Sequence, residues 1–88
     1  MNAHFRLDLK MEKDIYTKSL IQLGRRIREI RKGKGMTQVD LEFECHINHG
    51  DISRIENGQK NIEFHTIVKL AAALKVELYE LFKDDTST

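Results

Sequence analysis

The chain has 88 residues and a formal net charge of +1, which allows one small domain with a modest core. Near neutrality means that any affinity for nucleic acid must come from where charge is placed, not from its total. A single cysteine excludes an internal disulfide and any multi-cysteine zinc site and fits a reducing compartment, while the lack of a long apolar stretch leads us to expect a cytoplasmic protein with no membrane association.

There is no proline and no tryptophan, and little strand alternation, so the fold class expected is all-α: a compact five-helix domain. Residues 1–18 are the exception. Phe5, Leu7, Leu9 and Met11 alternate with other residues, which suggests a short strand, an extended arm or a partly ordered tail. Asp14 to Lys18 can instead begin the next helix early. The domain proper is assigned to residues 19–83. From about Lys18 to Lys32, Leu20, Leu23, Ile27 and Ile30 keep spacings of three and four, one buried helical stripe. Arg25, Arg26, Arg28, Arg31 and Lys32 occupy the other faces, and Gly33 and Gly35 end the helix.

Met36 then leads into Thr37, which with Asp40 forms a capping pair that starts a second helix at Gln38. That helix ends near Cys45 or His46. Asn48 offers its side chain as the next N-cap, and Gly58 supplies a positive-φ stop. Between them Ile52 and Ile55 recur at helical spacing, leaving His49, Gly50, Asp51, Ser53 and Arg54 for other faces. After the polar connection Gln59 to Glu63, Phe64 to Leu74 forms a fourth helix with Ile67, Leu70, Ala71 and Leu74 inward. Val76 to Phe82 gives a short fifth helix, and residues 84–88 a disordered tail.

A helix, a tight turn and a second short helix with an exposed polar face make a helix-turn-helix unit. The run Thr37 to Gly58, and above all Ile52-Ser-Arg-Ile-Glu-Asn-Gly58, closely resembles the Cro/repressor-type (XRE-like) helix-turn-helix domain of bacteria and phages, over about Leu23 to Phe82. The resemblance implies a sequence-specific regulator of transcription that binds double-stranded DNA, acting as a homodimer on a pseudo-palindromic operator. Small stand-alone domains of this type are similar to restriction-modification controller proteins, phage repressors and antitoxins.

The resemblance places base contacts at Asn48, His49, Gly50 and Arg54, since a recognition helix enters the major groove by its N-terminal end. Arg54 can bind guanine O6 and N7 bidentately, and His49 can donate to a base acceptor or a phosphate. The plainer readings are a salt bridge from Arg54 to Asp51 and an ordinary exposed His49. Phosphate contacts are expected from Gln38, at the positive end of its helix, and from Asn57, Gln59, Lys60 and Asn61 in the following loop. Arg25 and Arg28 add positive field from the first helix. Leu41, Ile47, Ile52 and Ile55 are expected to be structural. Glu56 should pair with an arginine of the first helix, either Arg26 or another of the run.

Val76, Leu78, Tyr79 and Phe82 are candidates for the dimer interface, or equally for the core. Several positions depart from the family's pattern. Glu42 stands where alanine is usual, Gly50 brings no side chain, and Asp51 puts negative charge near phosphates. Lys75 replaces a glycine and must then adopt positive φ, and Glu63 and Glu77 are weak caps. Cys45, His46 and His49 do not suggest a metal site, because no fourth ligand lies near. No glycine-rich phosphate loop, carboxylate pair or nucleophile–base pairing is present. We therefore assign no catalytic residue, cofactor, metal or small-molecule ligand. The competing function is a protein-interaction module, or an antitoxin-type partner protein with secondary DNA binding; Gly50, Asp51 and the near-neutral charge favour it.

Overall fold

The computed structural model describes residues 3–83, with side chains from residue 8 onward. The described chain is all helical: α1 (Ala3–Gly33), α2 (Gln38–Cys45), α3 (His49–Glu56), α4 (Phe64–Leu74) and a closing 3-10 helix (Leu78–Phe82). The first helix packs against α3, α4 and the 3-10 segment, while α2 packs against α3 and α4. The expected tail over residues 84–88 lies outside the described residues.

Two elements differ from expectation. In place of a strand or extended arm, the chain is helical from Ala3; the alternative, an early start of the helix over Asp14 to Lys18, agrees with the structure, and α1 runs without a break to Gly33. No described strand is available to pair with an extended segment, so a helix, which satisfies its own backbone, wins. The segment simply propagates a helix already anchored further along, and its Leu, Met, Lys and Glu residues permit this. Its side chains from Asp8 to Ser19 are exposed, Leu9, Met11 and Ile15 among them. Tyr16 fastens it to the body by donating its hydroxyl to Asn61 Oδ1 at 2.6 Å. The fifth helix is also not α but 3-10. It is five residues long and Glu77 provides no side-chain cap, which suits the tighter form found in short pieces.

The core forms where the apolar stripes meet. Leu23 and Ile27 of α1, Leu41 of α2, Ile52 and Ile55 of α3, four residues of α4 and Leu81 are buried together. Ile30, Met36, Ile47, Val76 and Leu78 close its edges. No helix among the described residues is long and apolar enough to cross a membrane.

Caps set the helix ends. Thr37 and Asp40 make a reciprocal capping box: Thr37 Oγ1 accepts from Asp40 N at 3.0 Å, and Asp40 Oδ2 accepts from Thr37 N at 2.8 Å. Asn48 Oδ1 accepts from Gly50 N at 2.7 Å. At the C-terminal ends, His46 and Lys75 take the left-handed conformation, with φ of 61° and 59°. Lys75 thus does what its place after α4 requires, at a steric cost that glycine avoids.

Gly24 decides how closely α1 and α3 approach. A Cβ there would lie 2.2 Å from the Ile55 carbonyl oxygen and 2.7 Å from that of Glu56. The obstacle is backbone, so no rotamer change relieves it. Gly58 is constrained twice, by a φ of 68° and by Ile21 Cα, 2.9 Å from any added Cβ.

Two glycine exchanges should therefore move stability in opposite directions. Gly24→Ala is expected to destabilise the domain by about 2 kcal/mol or more, as overpacking against a rigid wall does. Lys75→Gly should stabilise it by roughly 0.5–1 kcal/mol through relief of left-handed strain. Urea denaturation of the two variants checks both; a Gly24→Ala protein as stable as wild type would contradict the close approach of α1 and α3.

Candidate nucleic-acid interface

The motif is tied to α1 by an ion pair at the back of α3. Arg31 donates from Nε to Glu56 Oε2 at 2.6 Å and from a terminal nitrogen to Glu56 Oε1 at 3.0 Å. Both side chains are almost wholly buried. The other terminal nitrogen of Arg31 donates to the Met36 carbonyl at 2.7 Å. Gln38 Nε2 donates to Glu56 Oε1 at 3.1 Å. One arginine and one glutamate thus join α1, the α1–α2 connection, the start of α2 and the end of α3. The expected partner of Glu56 among the first-helix arginines is Arg31. Arg26 instead anchors the 3-10 segment, with Nε on the Glu80 carbonyl at 2.8 Å and a second contact to the Glu80 carboxylate at 3.5 Å.

With Ile52, Ile55 and Glu56 turned inward, α3 presents its polar side to solvent. Asn48 and His49 are exposed at its N-terminal end, Gly50 is half-buried beside them, and Arg54 is exposed one turn later. The geometry brings these positions onto one edge. Asn48 is engaged as the cap of α3, which leaves its amide nitrogen for other partners. His49 makes a bond that sequence reasoning did not anticipate: Glu42 Oε1 accepts its backbone N–H at 3.0 Å and meets its ring Nδ1 at 2.8 Å. Arg54 is paired with Asp51 at 2.5 Å, the contact foreseen as the plainer alternative, and Lys60 Nζ lies 3.9 Å from the same carboxylate oxygen. More than half of the Arg54 side chain remains exposed, and a guanidinium has five donors, so the ion pair orients it without consuming it.

Gln38 is half-buried, with one amide proton committed to Glu56 and the second at the N-terminal end of α2. Asn57, Gln59, Lys60 and Asn61 are exposed in the loop after α3, and Asn61 accepts from Tyr16. Arg25 and Arg28 are exposed on α1, Arg28 one turn beyond Gly24 where α3 crosses. The four candidate dimer residues separate. Val76 and Leu78 pack against the core, while Tyr79 and Phe82 are more than half exposed, with Lys83 Nζ 5.5 Å from the Tyr79 ring centre.

Cys45 is buried, which pushes its thiol pKa up and keeps it protonated. Among the described residues no three histidine, cysteine, aspartate or glutamate groups come together as metal ligands do. Two carboxyls lie below the usual range. Asp40 is held down by its bonds to the Thr37 backbone and then the Thr37 hydroxyl, and Glu42 by its bonds to the His49 ring and then the His49 backbone.

Sequence reasoning missed three features that shape this surface: Gly24, the Glu42–His49 bond and the Asp51–Lys60 contact. Gly24 had a usable signal, an isolated glycine inside a buried helical stripe. Glu42 and His49 are seven residues apart across a turn, and nothing in the pattern joins them.

Comparisons with known proteins agree with this geometry. The family model described as helix-turn-helix matches residues 27–81. The control protein C.BamHI of Bacillus amyloliquefaciens is 39 % identical over 59 residues, covering 66 % of this chain and 73 % of that protein. The control protein C.MunI of a Mycoplasma species is 31 % identical over 65 residues, covering 73 % and 88 %. The crystal structure of the restriction-modification controller protein C.AhdI from Aeromonas hydrophila superposes with a TM-score of 0.70 at 40 % identity, covering 72 % of this chain and 96 % of that one.

The two depressed carboxyls carry a pH signature. A carboxyl whose folded pKa lies below its unfolded value stabilises the fold above the unfolded value, and the contribution is lost as pH falls through the folded one. Asp40 and Glu42 should therefore cost the domain stability below about pH 4, the ordinary carboxylate range. Denaturant midpoints at about pH 7 and about pH 3 should show a smaller acid loss in Asp40→Asn/Glu42→Gln than in wild type; equal losses would mean that these bonds do not persist in solution.

Proposed function

The chain belongs to the helix-turn-helix family, and from that membership we propose that it binds duplex DNA sequence-specifically as a homodimeric transcriptional regulator rather than acting as an enzyme. One observation carries the proposal: α3 is fixed by its buried face to α1 and α2 while Asn48, His49 and Arg54 line its exposed edge. A rigid helix offering its N-terminal polar residues is what the major groove admits.

In this reading Asn48, His49 and Arg54 meet base edges, and Gly50 lets the backbone come close. Arg54 takes guanine, held in orientation by Asp51. Gln38 and the loop residues Asn57, Gln59, Lys60 and Asn61 hold phosphates on one side of the groove. Arg25 and Arg28 add attraction from α1. Residues 19–83 constitute the binding unit, and the N-terminal part of α1 extends beyond it.

A domain this small buries too little surface for tight discrimination alone, and two-fold pairing doubles the contacts. Exposed Tyr79 and Phe82 are the natural place for a second copy. Two recognition helices on one face of the duplex then require half-sites about one turn, roughly 34 Å, apart. That the relatives include controller proteins of restriction-modification systems supports a role in control of a linked gene. The ion pairs of Asp51 with Arg54 and Lys60 favour the second reading, an interaction module or antitoxin-type partner, because the carboxylate partly neutralises the two cations that would meet phosphate.

Selection from a randomised duplex pool separates the two. A DNA regulator enriches an inverted repeat and binds it with an affinity that falls steeply with salt; an interaction module enriches nothing. On the selected duplex, Arg54→Ala should lose about 1–3 kcal/mol and relax preference at one base pair, whereas Gln38→Ala should weaken all duplexes alike. Undiminished, equally selective binding by Arg54→Ala would remove its role as a reader.

A further inference from the structure

The bond between α2 and the first residue of α3 assigns a chemistry to His49. Glu42 Oε1 lies 2.8 Å from Nδ1 of the His49 ring and also accepts the His49 backbone N–H at 3.0 Å. The Glu42 carboxyl lies below its usual range, so at neutral pH and above it is an anion that only accepts. Nδ1 must then carry the proton. A neutral imidazole has one N–H, so Nε2 on the outer side of the ring has a bare lone pair. The side chain is 56 % exposed, and among the described residues nothing else bonds it.

We propose that Glu42 is a specificity-determining positioning residue: by accepting from Nδ1 it makes His49 present Nε2 as a hydrogen-bond acceptor to the duplex. This rests on the DNA-binding function proposed above and narrows it. In the major groove the base donors are the exocyclic amines, N4 of cytosine and N6 of adenine, while the edges of guanine and thymine offer acceptors. On the strand that faces His49, cytosine or adenine is therefore preferred to guanine or thymine. A free histidine can flip its ring or move its proton and accommodate either kind of edge. The two hydrogen bonds that Glu42 accepts remove that freedom by locking both the ring and the first peptide of α3.

The test has two arms, both on the full chain in mildly alkaline solution, so that the neutral tautomers are the forms compared. Nitrogen NMR of the imidazole should show His49 protonated at Nδ1 in wild type and in Glu42→Gln, whose amide oxygen can still accept, but not held so in Glu42→Ala. Duplex selection should then give wild type and Glu42→Gln the same preference for cytosine or adenine under His49. In Glu42→Ala that preference should fall severalfold at this pair, with the preference under Arg54 kept. A wild-type ring protonated at Nε2 overturns the proposal whatever the DNA result. The expected tautomer with an unchanged preference in Glu42→Ala overturns the specificity role. The expected tautomer in a protein that selects no duplex overturns the DNA-binding function, and the specificity role with it.

Discussion

The buried bond between Arg31 and Glu56 is the interaction on which the geometry of the motif depends. Each charge would be costly to bury alone, and removing one partner of such a pair typically costs about 3–5 kcal/mol because the other is left uncompensated. Here every strong acceptor is used: both Glu56 oxygens take Arg31, one also takes Gln38, and the remaining face of the guanidinium meets the Met36 carbonyl. An apolar cluster at this place would hold the helices together but tolerate sliding. The directional fork of an arginine on a carboxylate does not, so α3 keeps one angle to α1 and α2.

That ion pair works only because the backbones come close. Gly24 lets α1 lie against the carbonyls of Ile55 and Glu56, and Gly58 lets the chain leave α3 against Ile21. The last turn of α3 is thus clamped by backbone contact and its first turn by side-chain caps, Asn48 and Glu42. Both ends of an eight-residue helix are fixed, although a helix of that length has little stability of its own. Its exposed edge inherits rigidity from the buried one.

Along that edge, acidic neighbours direct the basic groups. Asp51 holds Arg54 and approaches Lys60, and Glu42 holds His49. These carboxylates reduce the general attraction for a polyanion, consistent with a net charge of only +1. In exchange they restrict the rotamers of the exposed side chains proposed to meet the duplex. In the function proposed, such an arrangement favours selectivity over bulk affinity.

Much of the fold was legible in local pattern. The Thr37–Asp40 box, the Asn48 cap, the stop at Gly58 and the stripes of α1 and α4 all depend on residues within a turn or two of one another, so sequence by itself determined them. The motif from Thr37 to Gly58 likewise told of the family, because its spacing is a local property. The structure decided what involves distant partners: that Arg31 and not Arg26 meets Glu56, that Gly24 is a contact point, that Tyr16 reaches Asn61 and that Glu42 meets the ring of His49. Residues 3–18 show the same division. The alternation from Phe5 to Met11 suggests a strand or an extended arm, but a strand needs a neighbour to pair with, and whether one exists is a fact of tertiary structure, not of the segment.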